Sequence, residues 1–338
     1  MRYRSVTALA GVAVMAFAAI SAAAAEPISL RVSFFASDRT DAYQSAVKPF
    51  VDAVNAEAKG LLDIHVYFSG ALGKDQSKTA QSVLDGVADI AFVVTGLQPE
   101  QFYDNTIVEL PGLFQGTREA TLVFTRLVAA QALQGYEKFF VIGAFATEPE
   151  TIHSHAPVAS LKDLIGKRIG TNNKMEGAAL EKLGMHPVIL PVTDYAEAIS
   201  GDRLDGASKS PSILFDFGIA RVATYHYMLG TSVVPLTLLM NRNKFDSLPK
   251  ESQDIIRKYS GEWAAARFID VYGAAEKSAV ERLTSDPKRK VITPSPADLD
   301  TAQAAFRSVR AEWAAKSPHN RELLKMVESE IAKLRAMR

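Results

Sequence analysis

The sequence predicts an α/β protein built as two similar hinged lobes, with one long helix bracing both. Three observations carry this. Strand-like and helix-like periodicities alternate from residue 29 to about 145, and the alternation then starts afresh. A helix end, a glycine stop and an acidic residue before a strand occur twice, at 82–89 (SVLDGVAD) and 198–205 (AISGDRLD). A single apolar stripe at helical spacing then runs through residues 248–283. At 338 residues, with 48% hydrophobic and 22% charged side chains, the chain has ample material for two cores.

Residues 29–35 (SLRVSFF) alternate and are rich in β-formers, so they read as a strand. Ser37, Asp38 and Thr40 offer caps to a helix whose apolar positions are Ala46, Val47, Phe50, Val51 and Val54. Residues 61–68 and 90–94 read as further strands, separated by a Gly-rich loop at 69–73 and a helix ending near Gly86. A helix over 117–132 and a strand over 139–145 follow. The second series has strands at 167–171 and 188–190, with helices at 174–183 and 195–200. Ser247 and Pro249 mark the start of the long helix, whose 35 or so residues would span about 50 Å, more than the width of one lobe. A break near Gly273 into two helices is the alternative. A strand near Val291 and helices at 297–315 and 320–334 complete the chain, the last being amphipathic and expected on the outside.

Two basic residues, Arg2 and Arg4, precede an apolar stretch ending in small residues at 21–25, the pattern of a cleaved export signal with cleavage after Ala25. Removal leaves 36 basic against 38 acidic residues, a balance that argues against nucleic-acid binding. The absence of cysteine excludes thiol nucleophiles, disulfides and Cys-based metal centres. Gly70, Gly73 and Lys74 sketch a phosphate loop, but the spacing is short and Asp75 stands where a hydroxyl residue is needed. His153 and His155 would point to one side of a strand, yet too few other ligands exist to make a metal site the expectation. No catalytic signature, cofactor motif or metal motif stands out, so a binder that closes on a small molecule is the simplest reading.

Several segments in order resemble the solute-binding subunits of TRAP (tripartite ATP-independent periplasmic) transporters. They are FSGALG (68–73), VLDGVADI (83–90), ELPGLF (109–114), LKDLIGKRI (161–169), 195–206 ending Leu204-Asp205-Gly206, and the long helix after Leu248-Pro249. The resemblance implies a two-lobed periplasmic binding-protein fold of type II-like build. Lobe I would be 26–147 plus 236–275, and lobe II 148–235 plus 276–338. It also implies a periplasmic monomer that is not an enzyme and hands a small organic solute to a small and a large membrane subunit. An ABC-type binding protein and a periplasmic enzyme on the same fold are the alternatives.

In such proteins an arginine after the Gly-Lys-x-Ile stretch commonly clamps a carboxylate. Here that position is Gly170, and a second basic position aligns with Glu150. Three ligand classes stay open: an acid held by Lys209, Arg168 or hydroxyl and amide donors, an amine held by Glu150 beside Phe34 or Phe35, and a neutral polar solute. Arg168 shares the strand parity of Gly170. By motif position the expected lining is Phe35, Ser37, Val94, Thr95, Glu150, Arg168, Gly170, Asn172, Asn173, Val192 and Lys209, while Tyr195, Asp205 and Gly206 are expected to be structural.

Overall fold

A computed structural model describes residues 26–337. The expected export signal lies outside these residues. Eleven strands are formed among them: β1 (Ile28–Ser33), β2 (Leu62–Tyr67), β3 (Ile90–Val94), β4 (Phe139–Ala146), β5 (Thr151–Ser154), β6 (Arg168–Thr171), β7 (His186–Ile189), β8 (Gly206–Lys209), β9 (Tyr225–Tyr227), β10 (Pro235–Asn241) and β11 (Lys290–Ile292). They make two sheets, ordered β2-β1-β3-β10-β4 and β11-β9-β5-β8-β6-β7.

In the first sheet β1 runs parallel to β2 and β3, while β10 inserts antiparallel between β3 and β4. Both faces are covered. Along β3, Ile90, Phe92 and Val94 join Leu30, Val32, Phe50 and Leu238 in one core, and Ala91 and Val93 join Phe124, Leu127 and Leu239 in the other. Sequestering so many large apolar side chains, each contributing about 1.5–3 kcal/mol, makes this lobe a rigid body. The second sheet mixes parallel pairs (β6 with β7 and β8, β11 with β9) with antiparallel β5. Ile152, Ile169, Leu180 and Tyr227 fill one of its faces, Tyr195, Leu204, Ala207 and Leu214 the other.

The long helix differs in detail from the expectation. Lys250–Lys258 is one helix and Glu262–Ser285 another of 24 residues, about 36 Å. The break falls at Gly261, not Gly273. Gly261 has φ +61°, a conformation that suits glycine, and its N–H bonds the Ile142 carbonyl. Gly273 sits inside the helix, with open space where a Cβ would point. Ser247 does not cap the helix after it; its hydroxyl donates to the Lys244 carbonyl. The bracing role holds. Phe268 stacks on Phe145 of the first lobe at 4.7 Å and on Tyr272 at 4.9 Å, and Tyr272 Oη lies 2.8 Å from Ser210 Oγ of the second lobe.

The two C-terminal helices pack on different lobes. Helix Pro296–Ala315 sends Ala302, Phe306 and Val309 into the second lobe, but helix Pro318–Ala336 packs Leu323, Val327 and Ile331 onto the first. Arg335 fixes it there with two bonds to the buried carboxylate of Glu119, at 2.9 and 2.8 Å.

Besides the long helix and the turn before helix Pro318–Ala336, the chain passes between the lobes in two segments, 147–150 and 228–234, that bond to each other. Glu150 N–H donates to Ser232 O (2.7 Å), Thr231 N–H to Glu150 O (2.7 Å), and Val234 N–H to Thr147 Oγ1 (2.9 Å). A paired two-strand crossing can flex while both lobes keep their cores, the anatomy of a hinge.

Candidate functional site

The carboxyl ends of β1, β3, β6 and β8 point toward the divide between the sheets, where ligands gather in open α/β folds. The two lobes meet there. Phe35 and Phe217 stack across the divide at 6.4 Å, Asp41 N–H donates to Asp216 Oδ2 at 2.8 Å, and a Cβ at Gly96 would come within 3.4 Å of Asn172 O and 3.3 Å of Asn173 Cβ. Between them lies a cavity of about 40 Å³. Its walls are mostly apolar: Phe34, Phe35, Phe92 and Val94 from the first lobe, and Val192, Ile213 and Phe217 from the second, with Leu236 at the start of β10.

Lys209 and Glu150 are the charged residues of that lining. Lys209 ends β8 and Glu150 ends the first crossing segment, so strand geometry and the hinge deliver them to one point. Their side chains are 2% and 1% exposed, with Nζ 2.5 Å from Oε2. Nζ also donates to Asn172 Oδ1 at 3.2 Å and lies 5.5 Å from the centre of the Tyr195 ring. Burial pushes the Glu150 carboxyl up to about 8, opposed by the Lys209 charge and reinforced by Glu176 and Glu276.

Behind the pair, Glu176 is held by the hydroxyls of Thr171, Thr231 and Ser208. Glu276 accepts from Ser212 N–H and Oγ–H, and burial lifts it to about 7. Glu109, in the ELPGLF segment, is raised to about 8 by burial and by Glu176. Its Oε1 would lie 2.4 Å from a Cβ at position 96, which accounts for Gly96.

Of the expected lining residues, Phe35, Val94, Glu150, Asn172, Val192 and Lys209 come together on the cavity. Thr95 lies just behind, its hydroxyl on Pro235 O, and Asn173 caps helix Lys174–Lys182 through a 2.6 Å bond to Glu176 N–H. Ser37 is exposed beside the opening. Arg168 does not reach the cavity. It stands at the amino end of β6, half-exposed, where Asp205 takes its guanidinium at 3.0 and 3.2 Å. Gly170 is buried under other side chains. A Cβ there would come within 2.8 Å of Leu204 Cδ1 and 3.3 Å of the Tyr195 ring, so these two fill the direction a side chain at 170 would take. Asp205 thus serves as the partner of Arg168, and the Tyr195 ring lies between Gly170 and Lys209. Phe92, Ile213 and Phe217 were not anticipated. Phe92 alternates with core residues on β3, and a buried strand carries no mark of which aromatic faces a cleft.

His153 on β5 and His155, just beyond its end, do not converge. His153 is buried and pairs instead with His226 of β9, Nδ1 to Nδ1 at 2.9 Å, while His155 is exposed. Burial pulls His153 down to about 3 and His226 to about 4, so both rings are neutral. Among the described residues no cluster of three or more His, Asp or Glu is placed to hold a metal ion.

Comparison with known proteins places this architecture. Residues 32–317 match the family model described as bacterial extracellular solute-binding protein, family 7. The 2,3-diketo-L-gulonate-binding periplasmic protein YiaO of Escherichia coli is 25% identical, over 97% of this chain and 99% of its own length. The C4-dicarboxylate-binding periplasmic protein DctP of Rhodobacter capsulatus is 22% identical over 77% of this chain and 78% of its own. A marine metagenome TRAP solute-binding protein specific for aromatic acid ligands, solved with metahydroxyphenylacetate, is 25% identical. It superposes with a TM-score of 0.83, covering 90% of this chain and 99% of that one.

Proposed function

Since the chain belongs to the family-7 bacterial extracellular solute-binding proteins and is a TRAP-type binder of small organic solutes, we propose that its interlobe cavity takes an acid with one carboxylate and an apolar, ring-bearing body. The observation that carries this is the single ammonium, Lys209, buried among Phe34, Phe35, Phe92 and Phe217. Aromatic walls select for ring surface and reward it by several kcal/mol, about 25 cal/mol per Å² of apolar area removed from water. They offer little to the hydroxyls of a sugar acid or to a second carboxylate, which would lie unpaired in apolar surroundings. Relatives with named ligands bind acids, among them the aromatic-acid binder.

Lys209 here takes over from the arginine absent at Gly170, with Asn172 as a second polar contact. Phe35, Val94, Val192 and Glu150 complete the contacts, and Ser37, Thr95 and Asn173 support the rim. A cavity of about 40 Å³ has room for a water or two, so a ring enters when the lobes part and Phe35 leaves Phe217. We read the lobes as 26–147 plus 236–275 and 148–235 plus 276–338, with the packing of 318–336 favouring its assignment to the first lobe. We read residues 1–25 as an export signal that leads to the periplasm. There a monomer hands its solute, chemically unchanged, to a small and a large permease subunit.

The test is a thermal-shift screen of residues 26–338, stripped of bound solute, against size-matched ring acids, linear dicarboxylates, sugar acids, amines and polyols. A ligand at ~100 times its Kd adds about 2.7 kcal/mol of stability, a shift of several degrees. Ring acids should give the largest shift. A shift with amines alone would overturn the reading.

A further inference from the structure

Glu150 has no evident place in a site for acids. A buried carboxylate that already neutralises the one ammonium in the lining leaves nothing for a ligand carboxylate to pair with. Two carboxylates on one ammonium would leave a net negative charge in an apolar cavity, which is costly. Removing Glu150 from Lys209 does not solve this, because the residue is anchored by both backbone bonds of the hinge, its N–H to Ser232 O and its carbonyl to Thr231 N–H.

We propose that the site takes an acid together with one proton, which Glu150 carries, changing from the counter-ion of Lys209 into a hydrogen-bond donor within the closed site. This rests on the acid reading above. No bond breaks: the ligand enters as carboxylate, the proton comes from solvent, and Lys209 exchanges one carboxylate partner for another. The surroundings favour the protonated form. Facing Glu150 are Lys209 from β8, Glu176 from helix Lys174–Lys182, Glu276 and Tyr272 from the long helix, and Tyr195. Of these only Lys209 opposes the proton, and it is the group the ligand claims. The upward displacement of the Glu150 carboxyl by burial agrees with this.

The same behaviour would make the site discriminate by charge. An acid with a single carboxylate arrives with one proton and leaves the closed cleft neutral. A second carboxylate would demand a second proton that no other lining residue can hold, since Glu150 is the only acid in the lining.

The experiment is titration calorimetry of the stripped protein with benzoate and 3-hydroxybenzoate, in buffers of different ionisation enthalpy, from pH 6 to 8. Carboxylates of ordinary acidity are fully ionised over this range, so any proton taken up belongs to the protein. Because the free Glu150 carboxyl lies near 8, uptake should rise from near zero at pH 6 to about half a proton per acid at pH 8, with Kd weakening there by about threefold per pH unit. Glu150→Gln, which imitates the protonated carboxyl, should abolish the uptake, flatten the pH profile and bind more tightly than the natural protein at pH 8. Binding at pH 8 without proton uptake overturns the inference while leaving the acid reading intact. So does uptake that persists in Glu150→Gln, which would place the proton on Glu109, Asp216 or Glu276. Absence of heat with either acid, together with a shift by amines, overturns both. The buffer comparison on the unaltered protein stands even if the variant folds poorly.

Discussion

Lys209→Met is the substitution that bears most directly on the site. Methionine keeps an unbranched stem of similar length in the slot beside Tyr195 and removes the ammonium. At ~3 Å and an effective dielectric near 20, a carboxylate and an ammonium attract by about 5 kcal/mol. Truncating one partner of a buried, hydrogen-bonded charge pair costs about 2–5 kcal/mol of binding, or roughly 30-fold to several thousand-fold in Kd. The protein itself should survive the change. Burial already lifts Glu150 to about 8, and Lys209 is the influence that lowers it. Without the ammonium the carboxyl rises further and is protonated at pH 7, so no bare charge is stranded in the cleft. The assay is calorimetric affinity for a ring acid, with a melting curve as the folding control. A folded Lys209→Met protein that binds the acid within about fivefold of the natural one would refute Lys209 as the anchor.

Two further outcomes concern the second lobe. Gly170→Ala should cost about 1–3 kcal/mol of stability by crowding Leu204 and Tyr195, read as a lower midpoint in urea, and an unchanged midpoint would mean that the wall yields freely. The buried pair His153–His226 predicts acid sensitivity. Both rings titrate below the ordinary value of 6.5, so their contribution is complete above pH 6.5 and is lost as pH falls toward 4 and 3. By pH 4.5 the loss is about 3 kcal/mol for each independent imidazole, and His226→Asn should lose measurably less than the natural protein between pH 7 and 4.5. Equal losses in the two proteins would show that the pair does not set this dependence.

What could be read from the sequence follows physical lines. β1, β2 and β3 announce themselves because their residues alternate or form short β-branched runs bounded by turns. β10 (PLTLLMN) does not, since its first six residues are all buried, between two neighbouring strands and under helices on both faces, which leaves no alternation to see. The break at Gly261 was hidden by Tyr259 and Trp263, whose spacing continues the apolar stripe across it. Cavity residues at strand ends, such as Val94, Asn172 and Lys209, follow from the rule that parallel strands present their carboxyl ends to ligand. Arg168 shares the parity of Gly170 but lies two residues earlier, about 6.6 Å back along the strand, at the end remote from the cleft. Parity identified its face and not its depth. Phe217 follows a short helix after β8, and only the three-dimensional path of the chain carries it over Phe35.

The order in which strands enter the first sheet has a consequence for how the molecule is made. β5 to β9 are contiguous in the chain, so most of the second sheet can pair as soon as residue 227 is available. β3 and β4 have no common neighbour until residues 235–241 arrive and slot between them. A chain delivered from its amino end therefore holds β1–β3 and β4 as separate pieces with open edges while the later lobe is already assembling. Those edges are rich in Val, Ile and Phe and invite pairing with other chains, so the rate at which β10 is supplied governs how long the protein is exposed to aggregation. Substitutions that weaken β10 should then lower the yield of folded protein more than its final stability.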